Sequence, residues 1–88
     1  MYDYVLRKSL EKKFLKIAKK NKNHLIIIKK KILEIIQDPH HYKNLKFPMQ
    51  EFRRVHIASV LVFSIDEKKK LVIFEDCDNY DKIYLKSL

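Results

Sequence analysis

Hydrophobic positions along this chain recur first at a spacing of three and four and later at a spacing of two, which divides it into a helical part and a strand-forming part. Leu10, Phe14, Ile17 and Ala18 share one helical face, while Lys8, Lys12, Lys16 and Lys20 recur every fourth residue on another. Leu25, Ile28, Ile32, Ile35 and Ile36 mark the buried stripe of a second helix, predicted over about 24–37 and ended by Pro39. Asn21-Lys22-Asn23 is the only turn signal between the two, and so short a connection predicts an antiparallel helical hairpin. Ile26 and Ile27 fall off the stripe. They either widen the core face or present an apolar surface to a partner, and the high burial of isoleucine in folded proteins favours the core.

Residues 2–6 have the character of a short opening strand. From Glu51 the period is two, with Phe52, Arg54 and His56 on one face and Arg53, Val55 and Ile57 on the other. Two apolar runs follow, at 60–65 and 71–74, joined by Asp66-Glu67-Lys68-Lys69-Lys70. That connection lacks Gly and Asn, so a loop of four or five residues is expected rather than a tight two-residue hairpin. The predicted fold is α+β: a two-helix hairpin packed on one face of a small antiparallel β-sheet, in the order β-α-α-β-β-β, with a short C-terminal tail from Asp81. Residues 1–88 are expected to form a single domain whose other sheet face is left open.

Charge adds direction to this picture. Twenty Lys and Arg stand against eleven Asp and Glu, a formal +9, which self-repels in a compact chain unless an anionic partner relieves it. Eighteen of the cations precede residue 75, whereas Glu75, Asp76, Asp78 and Asp81 crowd into seven positions near the end. No uninterrupted apolar run exceeds four residues, that at 25–28 among them, far short of the roughly 20 residues of a membrane span, and residues 1–20 lack a signal-peptide core. A cytoplasmic protein without membrane association is expected. The single Cys77 excludes an intramolecular disulfide and is read as a small strand residue in a reducing compartment.

Two patterns invite a metal reading. His40-His41 lacks Asp or Cys at ligand spacing and is read as incidental. Glu75, Asp76 and Asp78 suit a Mg²⁺-dependent nuclease in principle, but strand alternation puts Asp76 and Asp78 on one face and Glu75 on the other, leaving two ligands. No metal and no cofactor are expected. The carboxylates are read instead as partners of the sheet's own cations, Arg54 or Lys82.

In Phe52-Arg53-Arg54-Val55-His56-Ile57, Val60-Leu61-Val62-Phe63-Ser64-Ile65-Asp66 and Asp78-Asn79-Tyr80-Asp81-Lys82-Ile83-Tyr84 the chain resembles the RelE/ParE toxin superfamily, specifically RelE-like mRNA interferases of the archaeal type. These correspond to the family's alternating basic strand, its apolar strand ending near an acidic turn, and its closing Ile/Val-Tyr pair. The resemblance implies the toxin of a type II toxin–antitoxin system, a ribosome-dependent endoribonuclease neutralised by a RelB-type antitoxin. It implies metal-free cleavage of mRNA by the 2′-hydroxyl, and operator DNA binding only through the toxin–antitoxin complex. Arg54, His56 and Tyr84 match the catalytic positions, as phosphate clamp, proton-transfer group and base-stacking or 2′-hydroxyl contact. Lys46, Arg53, Asn79, Tyr80 and Lys82 are the expected RNA contacts.

The chain departs from the family pattern at two places. Val60 stands where many members carry Arg, and Asp78, Asn79 and Tyr80 stand where they carry Arg, Lys or His. Loss of one preorganised phosphate donor costs on the order of 10²-fold in rate. The sequence therefore supports two further readings: a catalytically degenerate member that retains antitoxin and operator-complex binding, or a metal-dependent nuclease on the acidic cluster. The lysine stripe of the first helix is read as a solvated face, with RNA backbone contact as the competing reading.

Overall fold

The computed structural model describes residues 1–79 and Ile83. Its elements are strand β1 (Asp3–Leu6), helices α1 (Lys8–Lys20) and α2 (Lys22–Gln37), a 3-10 turn at Pro39–His41, and strands β2 (Arg53–His56), β3 (Val60–Asp66) and β4 (Leu71–Asp78). A single residue separates the helices. Asn21 has extended backbone, its N–H closes α1 on the Ile17 carbonyl, and its side-chain oxygen accepts from His24 N–H at 3.1 Å to open α2. Because one Asn caps both ends, α2 starts at Lys22, ahead of the expected residue 24. Glu11 in the first turn of α1 and Lys19 and Lys20 in its last turn match the helix dipole.

The sheet order is β1-β4-β3-β2. β2, β3 and β4 pair antiparallel, as the sequence predicts, but β1 lies parallel to β4, with Asp3 opposite Leu71 and Leu6 opposite Phe74. The helical hairpin, β2 and β3 all lie between β1 and β4 in the chain, a separation long enough for the crossover that parallel pairing needs, and the sheet is mixed rather than wholly antiparallel. The β3–β4 register slips between Val62 and Phe63, since Val62 faces Asp76 while Phe63 faces Phe74. Glu75 is the extra residue of this β-bulge.

The helices cover one sheet face. Leu10, Phe14, Ile28, Ile32, Ile35 and Ile36 meet Leu61, Phe63, Val72, Phe74 and Cys77 in one core. Each fully buried large side chain there contributes roughly 1.5–3 kcal/mol of transfer free energy. Ile26 and Ile27 do not join it: at 49% and 48% exposure they correct the expectation that they widen the core. With Ile28 and Ile32 turned inward on a 3.6-residue period, positions 26 and 27 turn toward solvent.

The other sheet face is not left open, a second correction. Leu45, Val60, Val62 and Ile83 form a smaller buried cluster with Met49 and Phe52 against it. The segment between the 3-10 turn and β2 folds over this face and pairs beside β2, through Leu45 N–H to the Phe52 carbonyl at 2.8 Å and Arg54 N–H to the Lys43 carbonyl at 3.1 Å. Val60 and Val62 point away from the helices, and their apolar surface needs this cover.

The β3–β4 turn has the expected four residues, and without Gly its last residue, Lys70, takes a positive φ of 51°. Three contacts hold the turn: Glu67 accepts from Lys70, from the Tyr2 hydroxyl and from a His40 ring nitrogen. These place Glu67 well below the usual carboxylate range, at about 2, with Lys70 the largest cause and Tyr2 and His40 next.

Candidate functional site

Register sets the site. Arg54 pairs with Val62 and His56 with Val60, so both lie on the sheet face away from the helices. Across β3, Val62 pairs with Asp76 and Val60 with Asp78. Two rows result, Arg54–Val62–Asp76 and His56–Val60–Asp78, each with a basic side chain and a carboxylate two strand spacings apart, about 10 Å. His56 is exposed and Arg54 half-buried. Val60, at 1% exposure, is packed into the outer apolar cluster.

Arg53 faces the other way. Its guanidinium donates to the Tyr42 carbonyl at 2.7 Å, tying β2 to the loop before it. Lys46 is exposed beside Leu45 on the outer face, and Asn79 is exposed just after β4. The expected site residues Tyr80, Lys82 and Tyr84 lie outside the described residues. The structure therefore brings Arg54 and His56 together on one face and sends Arg53 to the opposite one.

The acidic cluster divides. Glu75 pairs with Arg7 Nε at 2.8 Å and accepts from Ser64 Oγ at 2.8 Å. Asp76 and Asp78 converge on Lys13 Nζ at 2.6 and 3.0 Å. Burial alone would lower the Lys13 pKa, but the hydrogen bonds to Asp76 and Asp78 together outweigh it and leave the ammonium raised. Among the described residues no group of three or more His, Cys, Asp or Glu is arranged to hold a metal ion. Lys13 was not singled out by the sequence: it sits one position off the every-fourth-residue stripe, and α1 passes the end of β4 beyond the reach of β1.

Sequence reasoning also missed a pocket of about 440 Å³ between the tip of the helical hairpin and the end of β4. Lys13, Lys16 and Lys20 come to it from α1, and His24 comes from α2. Ser59 and Cys77 stand at its floor, with Ser59 Oγ 3.1 Å from Cys77 Sγ and 3.4 Å from His24 Nε2. Burial pushes the Cys77 thiol up, against a smaller downward pull from Ser59. No helix among the described residues is long and apolar enough to cross a membrane.

The architecture is that of the RelE fold. Over the whole of both chains it superposes on isolated E. coli RelE toxin with a TM-score of 0.74 at 16% identity. It matches the E. coli RelBE toxin–antitoxin complex with a TM-score of 0.75 at 17% identity, covering 90% of this chain and 96% of that one. Identities this low speak for fold alone. Sequence supplies the rest: the chain is 50% identical to a Methanocaldococcus jannaschii protein named "Putative toxin RelE4", over 98% of this chain and 94% of that protein. It is 55% identical to an uncharacterized protein of Methanosarcina mazei, over 96% of this chain and all of that one. No protein-family model matches. The chain belongs to the RelE-like toxin family.

Proposed function

We propose that residues 1–88 act as one domain, the toxin of a type II toxin–antitoxin pair: a ribosome-dependent endoribonuclease that cuts mRNA without a metal and is held inactive by a RelB-type antitoxin. The observation that carries this reading is the placement of Arg54 and His56 two residues apart on β2, on the sheet face away from the helices. Metal-free cleavage has the 2′-hydroxyl attack the adjacent phosphorus. The P–O2′ bond forms, the bond to the 5′-oxygen breaks, one proton leaves the 2′-hydroxyl and one reaches the departing oxygen. The planar fork of Arg54 suits the charged phosphorane, and the ring nitrogens of His56 suit a proton transfer. Tyr84 is proposed to stack on a base or contact the 2′-hydroxyl, and Lys46, Asn79, Tyr80 and Lys82 to line the RNA path; Arg53, turned to the opposite face and bonded to the Tyr42 carbonyl, is not part of it. The partner antitoxin would deliver the toxin to operator DNA as a complex, in the cytoplasm where ribosomes are.

The test is the purified protein on programmed ribosomes in EDTA, with cuts mapped on the message. Cleavage within the decoding site is expected. Induced expression that leaves growth and translation untouched would overturn the reading.

A second reading is favoured by two features. Val60, at the position where the family resemblance implies an Arg in many members, is buried among apolar side chains, and Asp76 and Asp78 stand across β3 from Arg54 and His56. A degenerate member would bind a RelB-type antitoxin, and operator DNA through it, with no effect on growth.

A further inference from the structure

We propose that the pocket between the tip of the helical hairpin and the end of β4 holds one nucleotide of single-stranded RNA, its phosphate at Lys16 and Lys20 and its base against Ile17, His24 and Cys77. This rests on the reading of the chain as an RNA-directed toxin and adds to it a nucleotide subsite off the Arg54–His56 face.

Size and wall chemistry come first. A volume of about 440 Å³ lies within the range of small-ligand sites, roughly 300–1,000 Å³. Its walls are apolar where Ile17 and Cys77 meet, and the His24 imidazole adds a flat ring of the kind on which unpaired bases stack. The Ser59 hydroxyl at the floor carries one donor and two acceptor positions, more than its contacts to His24 and Cys77 use, which leaves hydrogen-bonding capacity for a base edge.

Charge selects the phosphate end. Lys13, Lys16 and Lys20 are spaced three and four apart and share a helical face. Asp76 and Asp78 neutralise Lys13, whereas among the described residues no carboxylate pairs with Lys16 or Lys20. Two uncompensated ammonium groups at the mouth of an apolar, ring-bearing pocket fit a nucleotide better than an acidic peptide, which would use the mouth and leave the interior empty.

Position links the pocket to the proposed site. Asp78 lines the pocket and pairs with Val60, whose other neighbour is His56. His56 and the pocket thus share one end of the sheet, His56 on the outer face and the pocket on the helix side, where Cys77 belongs to the main core. A strand cut at the His56 face would pass round this end of the sheet to place a flanking nucleotide in the pocket.

The test measures a fluorescent six-nucleotide RNA by anisotropy without ribosomes, across a salt series, for wild type and for Lys16→Gln with Lys20→Gln. The double variant should bind about tenfold more weakly, with a salt slope shallower by about 0.7 for the one lost phosphate. In ¹⁵N spectra, cytidine 5′-monophosphate should shift the amides of Ile17, His24, Ser59 and Cys77, while inorganic phosphate should not reach the last two. Equal shifts from both ligands would reduce the pocket to an anion site and overturn the nucleotide assignment. Shifts from a RelB-type antitoxin peptide but not from RNA would overturn it in favour of protein docking. The two readings fail separately. Pocket shifts from RNA with no cut on ribosomes would sink the nuclease and keep the subsite, whereas cutting and binding unchanged in the double variant would do the reverse.

Discussion

His56 and Asp78 stand on opposite sides of Val60 and face the same way across β3. Val60, 1% exposed under the outer apolar cluster, fills the space between them, and Lys13 holds the Asp78 carboxylate, so what a phosphodiester can reach is the exposed His56 with Arg54 two residues away on β2. His56→Ala should therefore lower message cleavage on ribosomes by about 10²–10⁴-fold, and Arg54→Ala by about 10²-fold. Antitoxin affinity, read by calorimetric titration, should stay within a factor of about three of wild type, because small changes of roughly 0.6 kcal/mol are all a single peripheral contact contributes. Wild-type cleavage in both variants would place the chemistry elsewhere.

Lys13 holds two carboxylates that would otherwise repel each other at the end of β4. Lys13→Ala should cost about 1–2 kcal/mol of stability in urea titrations, a charged hydrogen-bond pair discounted for its partial exposure to water. Adding Asp78→Asn to that variant should recover part of the loss. A purely additive double variant would mean that the contact is not energetically coupled.

The lowered pKa of Glu67 predicts an acid limb in stability. A carboxylate near 4.5 in the unfolded chain and near 2 in the folded one stabilises the fold fully above 4.5, and the contribution fades as pH falls through about 2. The thermal midpoint of Glu67→Gln should lie below that of wild type at pH 6, and the two should converge between pH 4.5 and 2. Parallel curves over that interval would exclude Glu67 as the titrating group. Because the carboxylate is exposed, high salt should shrink the difference.

Cys77 is 4% exposed and its thiol is shifted upward by burial. Alkylation by iodoacetamide at pH 8 should be slow in the native protein and rise by at least about tenfold in denaturant, because the thiolate is the reactive form. Fast native labelling, followed by mass spectrometry, would show that the pocket floor opens.

The helical hairpin, the three C-terminal strands and the split of Arg53 from Arg54 were legible from periodicity, because a period of 3.6 or 2 assigns each side chain a face directly. The parallel pairing of β1 was not, since Asp3–Leu6 is short and its exposed pattern carries no orientation. The cover over the outer face was hidden for a related reason: Leu45, Met49 and Phe52 have no regular spacing, and only Val60 and Val62 hinted that this face needed burying. The acidic cluster was read correctly as two carboxylates together with Glu75 apart, but the Lys13 ammonium that both of them meet was not read. The contact crosses from α1 to β4, 63 and 65 residues along the chain, a distance over which local patterns carry no information.

The parallel seam between β1 and β4 also sets a clock. β1 is made first and its partner follows more than 60 residues later, so the sheet stays unfinished until β4 has been synthesised. The hairpin is complete at Gln37, and at ~5–20 residues per second it waits ~2–8 s for residue 78 with its isoleucine stripe uncovered. During that interval the nascent chain has neither a finished core nor a β3 against which β2 can set Arg54 and His56 on one face.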